Sequence, residues 1–437
     1  MEPHEARAWL DSHVNLEQKA GVPAGTRRRL APEPLSRMWT LVELLGSPQL
    51  QYPAIHVTGT NGKTSTARMA TALLVAIGLS VGTDTSPYLQ RFNERMSWNG
   101  EPIPDEELDR ILVRVAEVEP LLADRPTYFE IVNATALEWF ADIAVDVAVI
   151  EVGLGGAWDS TNVVDGRVAV VTNVDIDHVE YLGPTRHHIA AEKAGIVKPG
   201  ATLVLGETDP ELVPSFVERG PARVVMRDVD FGVRANKLAH GGRLVDLYTP
   251  YATYPDVFLP LHGAYQADNA AVALTAAECF LDRELGHDVV VDAFASVDSP
   301  GRLEVVGHDP LVVIDGTKNV AGARAVRAAL DEEFPRTGRT WVIGVLRQKH
   351  ADEMLEALGV DDADRVIATR PEIPRARDPE EVAQAARDLG VPGDQVEVID
   401  RVADAVRHAV DTSAPDGHVV VAGSLYVAGP ARTALVH

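Results

Sequence analysis

The sequence predicts an α/β protein of two domains, a larger N-terminal one built on a parallel sheet and a smaller C-terminal one of Rossmann-like type. Three observations predict it. Short apolar, β-branched runs recur at 54–59, 145–152 and 168–173, the composition of strands covered on both faces. A glycine-containing turn separates the first of these runs from a helical pattern. Beyond residue 302, strands and helices alternate regularly, as βαβ units do.

Taken in order, the first fifty residues read as helical, ending in the apolar pattern of 35–46. The strand at 54–59 leads into the turn, and a helix follows over 63–78 with Gly78 as its stop. Residues 297–302, Val-Asp-Ser-Pro-Gly-Arg, read as a linker, so the expected division is 1–297, a joint at 298–301, and 302–437. In the second domain, strands are expected at 311–314, 341–344, 365–368, 396–399 and 419–422. Helices are expected at 321–334, 351–358, 379–389 and 402–412.

Composition narrows the function. The 437 residues are 46% hydrophobic and 24% charged, which is ordinary for a folded protein of two or three domains. The formal net charge is −25, which disfavours a nucleic-acid binder because nothing outweighs repulsion from phosphates. An anionic ligand therefore needs a locally positive pocket. The only cysteine, Cys279, lies in an apolar helical pattern, forms no internal disulfide, and reads as a small buried hydrophobe. The first residues lack a signal-peptide profile and no apolar run approaches the ~20 residues of a membrane span, so a cytoplasmic protein without membrane contact is expected.

The turn Gly59-Thr60-Asn61-Gly62-Lys63-Thr64 has the context of a phosphate loop. Backbone amides and the helix N-terminus face the anion, Lys63 reaches the terminal phosphates, and the Thr64 hydroxyl meets a phosphate or its magnesium. Val57 stands where the longer form of the pattern has its first glycine. Glu151 ends a buried strand, where a carboxylate is costly without a cation; a capping or ion-paired acid is the alternative. His178 follows the next strand, and both sit at carboxyl ends of parallel strands, the usual ligand edge.

The shortened loop, preceded by Ile55-His56-Val57-Thr58, resembles that of the Mur ligases, which join a carboxylate to an amine at the expense of ATP. Within them the chain resembles the folylpolyglutamate and dihydrofolate synthases. The resemblance rests on Thr85-Ser86-Pro87-Tyr88-Leu89-Gln90-Arg91-Phe92-Asn93-Glu94-Arg95-Met96, on Glu151-Val152-Gly153-Leu154-Gly155-Gly156, and on Asp159-Ser160-Thr161-Asn162. It continues through Asp177-His178, Glu192-Lys193-Ala194-Gly195-Ile196, His262-Gly263 with Gln266 and Asn269, Pro300-Gly301-Arg302-Leu303-Glu304, Asp315-Gly316 with Asn319, and Gly423-Ser424-Leu425-Tyr426. Ordered matches run from about residue 50 to the C-terminus.

This resemblance implies an N-terminal P-loop ATPase-like domain of Mur ligase type and a monomer acting on ATP, L-glutamate and a folate or dihydropteroate. The acid attacks the γ-phosphate to give an acyl phosphate, and the glutamate amine then displaces phosphate. It implies magnesium, or manganese in its place, at Ser86, Glu151 and His178. ATP is expected at Gly59, Thr60, Asn61, Gly62, Lys63 and Thr64 and, from the domain interface, at Asn269, Arg302 and Asp315. Lys63, Glu151, His178 and Lys193 are the expected catalytic set, with Lys193 matching a lysine that is carbamylated in many relatives. Arg91, Thr127, Tyr128, Phe129, Glu130, Trp158, Asp159 and Ser160 are expected around the acceptor.

Bland alternatives stand beside several of these: Ser86 as a turn residue before Pro87, His178 as a satisfied polar residue, and Lys193 in an ion pair with a nearby acid such as Glu192. Others are Arg302 as a plain hinge and 128–129 as core aromatics. The family pattern Asp-x-Ala-His-Asn-Pro reads Asp315-Gly316-Thr317-Lys318-Asn319-Val320 here, so Lys318 is either a cation at the site or a solvated loop residue. Ala157-Trp158 follows the paired glycines where many relatives carry arginine, which leaves acceptor preference open. Two rivals remain. A peptidoglycan-type Mur ligase needs a full nucleotide-sugar domain before the loop, and only 58 residues precede Gly59. A nucleotide-binding module without catalysis would not need Lys63, Glu151 and His178 together.

Overall fold

The computed structural model describes residues 2–15, 34–335, 338–347 and 351–436. The buried β-branched runs form the middle of an eight-stranded sheet. Its strands are β1 (Ala54–Thr58), β2 (Val81–Asp84), β3 (Met96–Trp98), β4 (Glu101–Pro102), β5 (Val147–Glu151), β6 (Gly166–Val171), β7 (Thr202–Leu205) and β8 (Arg223–Met226). The order is β4-β3-β2-β5-β1-β6-β7-β8. From β2 to β8 every pairing is parallel, while β3 and β4 add an antiparallel edge. β1 and β5 are buried at all positions, as strands covered on two faces must be. The carboxyl ends of β1, β5 and β6 therefore lie side by side at mid-sheet, where ligands of such sheets bind.

Helices Lys63–Ala76 and Tyr265–Leu281 pack together over one face of this sheet. The second is buried almost all round, and its many alanines allow the close approach. Cys279 lies on it, 6% exposed, with its thiol pushed up to about 11 by burial, so it packs as a hydrophobe. Gly78, at φ +88°, follows the end of helix Lys63–Ala76 as expected.

A third sheet was not legible in the sequence. β9 (Gly232–Ala239), β10 (Gly242–Tyr248) and β11 (Thr253–Leu259) form a separate antiparallel sheet in the order β11-β10-β9. The polar residues Arg234, Asn236 and Lys237 mask any alternation in β9. The expected helical start consists of helices Ala6–Asp11 and Pro34–Leu44, with part of that expectation, 16–33, outside the described residues.

The last third forms a six-stranded sheet of β12 (Glu304–His308), β13 (Leu311–Ile314), β14 (Arg339–Ile343), β15 (Arg365–Arg370), β16 (Val396–Arg401) and β17 (His418–Ala422). Its order is β12-β13-β17-β14-β15-β16, parallel except for β12 against β13. The alternation read from the sequence is this Rossmann-like layer.

Polar contacts join the two large sheets' regions. Ser65 Oγ meets Ser299 Oγ at 3.0 Å, and Arg432 Nη1 donates to Gln90 Oε1 at 2.6 Å. The most buried junction centres on Glu333, at the end of helix Val320–Glu333. Arg243, 1% exposed, donates to Glu333 at 2.6 Å and to Glu332 at 3.1 Å. His262 Nδ1 lies 2.7 Å from Glu333, and the Gly263 N–H donates to it at 2.7 Å. Glu333→Ala would leave Arg243 with Asn236 and the half-exposed Glu332 as its partners, and take away its most buried counter-charge. It is expected to lower unfolding free energy by about 2–3 kcal/mol, read by chemical denaturation followed by tryptophan fluorescence. An unchanged midpoint would remove Glu333 from the forces that hold the junction.

Candidate functional site

The phosphate loop is fixed from outside as well as by its own sequence. The Thr60 N–H donates to the Asn173 carbonyl and the Asn61 N–H to Asn173 Oδ1, both at 3.0 Å. In return the Asn61 carbonyl accepts from Thr172 Oγ1 at 2.6 Å and from Asn173 Nδ2 at 3.1 Å. The loop thus hangs on the end of β6, and its helix begins at Lys63, with Gly62, Lys63, Thr64 and Ser65 lining the cavity as an N-terminal anion site requires. Gly62 stands in the left-handed region at φ +82°, and a Cβ there would come 2.3 Å from Asn269 Oδ1. Only glycine meets both demands.

Lys63 Nζ donates to the Gly59 carbonyl at 3.0 Å. Thr64 Oγ1 donates to both carboxyl oxygens of Glu151, at 3.1 and 3.0 Å, and the Ser86 N–H donates to Glu151 Oε2 at 3.2 Å. Glu151 is 2% exposed. Burial pushes its carboxyl above the ordinary carboxylate value, although Lys63, the Ser86 N–H, Thr64 and Arg302 pull the other way. A buried carboxylate that its neighbours do not fully offset, with the Thr64 hydroxyl beside it and Ser86 lining the same cavity, fits a hard divalent cation of the magnesium kind, which keeps waters and phosphate oxygens as its other ligands.

These groups line a cavity of about 390 Å³. Asn269, beside Gly62 of the loop, lines it too, as do Arg302, Asp315, Thr317 and Lys318, so all three expected interface residues share the cavity with the phosphate loop. Asp315 accepts from the Leu303 and Thr317 N–H groups at 2.8 and 2.7 Å. Burial pushes its carboxyl up to about 6 against the pull of Arg302. Asn319 Nδ2 bridges to Asn61 Oδ1 at 3.0 Å and to Asp177 Oδ2 at 3.1 Å, tying the two carboxyl edges together.

His178 is not in this group. It lines a smaller adjoining cavity with Asp177, Lys193 and Gly153, while Lys63 and Lys318 border both. Its residue is left-handed, φ 51°, and Nε2 lies 3.7 Å from Asp177 Oδ2. Among the described residues no three His, Cys, Asp or Glu side chains converge as a ready-made metal cage. Lys193 is 3% exposed. Burial, aided by Lys63 and Lys318 and opposed by Asp177 and Asp159, holds its amine well below the usual lysine value. Glu192 Oε2 has no hydrogen-bond partner among the described residues, and its side chain lies against Gly155.

The expected acceptor residues divide. Thr127 caps helix Tyr128–Asp142 in a reciprocal box with Glu130, whose carboxylate also takes two bonds from Arg37 at 2.8 and 2.9 Å. Tyr128 is in the core. Asp159 accepts from the Leu154 and Thr161 N–H groups at 2.8 and 3.0 Å, shaping the glycine loop, and Ser160 Oγ accepts from Asn133 at 2.5 Å. These polar groups are engaged in holding the scaffold. Trp158 is half-buried against the cluster of Leu182 and Ile196, and Arg91 is exposed with Asp105 at 3.4 Å. Phe129 lies against Gly153, and the Arg95 guanidinium stands 5.9 Å from its ring centre. Arg95, fully buried among Tyr88, Phe92 and Phe129, was in the quoted motif without a role.

Gln266 was likewise quoted without a role. It is fully buried, lines the large cavity, accepts from Asn269 at 2.9 Å, and leaves Nε2 without a partner.

Comparison with known proteins agrees with this geometry. Residues 57–277 match the Mur ligase middle domain and 301–425 the Mur ligase glutamate ligase domain. The chain is 40% identical to the dihydrofolate synthase/folylpolyglutamate synthase of Mycobacterium tuberculosis, over 99% of this chain and 94% of that protein. It is 36% identical to the folylpolyglutamate synthase of Lacticaseibacillus casei over 92% and 94%. The solved M. tuberculosis folylpolyglutamate synthase complexed with ADP and AMPPCP superposes with a TM-score of 0.89 at 36% identity, covering 100% of this chain and 99% of that one. An Escherichia coli structure in complex with DHPP and ADP gives 0.83 at 28% identity, over 97% and 96%.

Proposed function

Because the chain belongs to the folylpolyglutamate synthase/dihydrofolate synthase family of Mur ligases, we propose that it joins L-glutamate to a folate-type carboxylate at the expense of ATP. The observation that carries this reading is the single cavity in which Lys63, Thr64 and Glu151 face Asn269, Arg302 and Asp315. One set is made for phosphates and their cation; Asn269 adjoins it from helix Tyr265–Leu281, while Arg302 and Asp315 reach in from the side of the second sheet.

In this reading a carboxylate oxygen of the acceptor attacks the γ-phosphorus, the bond to ADP breaks, and an acyl phosphate forms. The glutamate amine then attacks the acyl carbon, phosphate leaves with the former acceptor oxygen, and the nitrogen gives up a proton. Lys63 and the loop amides neutralise charge moving over the phosphate oxygens, and Arg302 adds a cation from the opposite side. Glu151, Thr64 and Ser86 would hold magnesium or manganese, which when bound supplies positive charge to the phosphates. His178 stands on the side of the smaller cavity, beside the glycine loop and Lys193.

Lys193 fits the carbamate expected from the resemblance, since an uncharged amine attacks CO₂ carbon and loses a proton to leave an anion. The anion would balance Lys63 and Lys318. The joint at 298–301 is the hinge between residues 1–297 and 302–437, and reaction requires both edges closed on the nucleotide. We place the reaction in the cytoplasm, where ATP is at hand, and in a single subunit. Among the described residues no helix is long and apolar enough to cross a membrane.

The test is a product assay with ATP, magnesium and glutamate, offering dihydropteroate and tetrahydrofolate separately. A mass gain of one glutamate, with one phosphate released per amide, is the expected result, and the tube identifies the acceptor. ATP binding without product from either acid would refute the proposed substrate class.

A further inference from the structure

Thr317 is 7% exposed and lines the large cavity, yet its Oγ1 has no hydrogen-bond partner among the described residues. Its backbone is held firmly, because the N–H donates to Asp315 Oδ1 at 2.7 Å. A buried hydroxyl left unpaired is unfavourable, and such groups are rare in folded proteins. The surroundings make room for this one. A Cβ on Gly322 would come 2.5 Å from Thr317 Oγ1 and 3.7 Å from Asn61 Oδ1, so the missing side chain at 322 leaves space between the hydroxyl and the phosphate loop.

The N-cap of the helix following Thr317 is committed elsewhere. Asn319 Oδ1 takes the Gly322 N–H at 2.8 Å, and Asn319 Nδ2 reaches Asn61, so neither atom is offered to Thr317. Lys63, Arg302 and Lys318 border the same cavity beside Glu151 and Asp315, a mixture that suits an oxygen-rich phosphate ligand carrying its own cation. We propose that the Thr317 hydroxyl hydrogen-bonds an oxygen of the bound nucleotide, a sugar hydroxyl or a phosphate, and so adds a nucleotide contact at a position where the family pattern has alanine. The inference rests on the nucleotide reading of this cavity.

Thr317→Val keeps the shape and removes the hydroxyl; Thr317→Ser keeps the hydroxyl. Calorimetric ADP binding and ATP kinetics of the full chain distinguish the roles. Thr317→Val is expected to raise the ADP Kd and the KM for ATP about five- to tenfold, with kcat within about twofold. Thr317→Ser is expected to remain within about twofold of the parent. Removing an unpaired hydroxyl should also leave the ligand-free Tm unchanged or raised, while shrinking the shift that ADP produces.

Repeating the titrations with 2′-deoxy- and 3′-deoxy-ADP locates the contact. If one deoxy nucleotide binds parent and Thr317→Val equally, its missing hydroxyl is the partner; if all nucleotides weaken alike, a phosphate oxygen is. ADP affinity unchanged in Thr317→Val would overturn the proposal. A lowered ligand-free Tm with unchanged affinity would overturn it too, and would assign the hydroxyl to the fold. Failure of the parent protein to bind ADP would instead sink the nucleotide reading itself, and the inference with it.

Discussion

Lys63→Ala should lower kcat by about a thousandfold while the protein melts as the parent does. Lys63 opens helix Lys63–Ala76, where alanine is at least as good a helix former, and its one hydrogen bond is to the Gly59 carbonyl at 3.0 Å. Little of the fold depends on that contact. The expected chemistry does, because charge spreads over phosphate oxygens as the acyl phosphate forms, and a preorganised ammonium group in a partly closed cavity stabilises it far more than water can. Lys63 also helps depress the Lys193 amine, so the variant should raise that value toward the usual lysine range. Phosphate release and product mass, followed together beside a thermal melt, measure the effect. Near-normal turnover would refute the assignment of the phosphate loop.

Glu151→Gln should lose activity and gain stability, an opposition expected of a group placed for a ligand rather than for the fold. The folded carboxyl lies above its ordinary value because of burial. With the folded value above the unfolded one, the ionised group works against folding at neutral pH. That penalty is absent below the ordinary carboxylate value and grows as pH rises through the folded value. Glutamine removes the charge while its amide oxygen can still accept from Thr64 and the Ser86 N–H.

The ligand-free Tm at pH 7.5 is therefore expected to rise by about 2–4 °C, and the gain to shrink as pH falls into the carboxylate range. Activity should fall about a hundredfold or more, and the magnesium concentration for half-maximal rate should increase. An unchanged magnesium dependence would remove Glu151 from the metal site. A lower Tm would make the carboxylate a structural partner of Thr64 and Ser86.

The elements legible in the sequence share a physical character. β1, β5 and β6 announce themselves because burial on two faces favours largely apolar runs rich in β-branched residues. The phosphate loop was readable because its parts are contiguous, six residues between a strand and a helix. The antiparallel sheet β9–β11 was missed because strands with one wet face carry polar residues that blur the pattern. At the site, motif order named Asn269, Arg302 and Asp315, but it was silent on Thr317 as a candidate contact and left Lys318 undecided. Lys318 borders both cavities instead of standing in solvent.

What the sequence by itself determined is the chain's membership of a ligase family, its two parallel sheets, and the residue types at each carboxyl edge. Those depend on local spacing, which survives without coordinates. The tertiary structure decided which of these groups meet. It brought Asn61 and Asn319, 258 residues apart, into hydrogen-bond contact and lined two adjoining cavities that share Lys63, one with Glu151 and one with His178. It also set the Glu192 side chain against Gly155 and engaged Thr127, Glu130, Asp159 and Ser160 in holding loops and helix ends. Burial and facing set the charge state and availability of each polar atom, and both arise only when distant segments pack together.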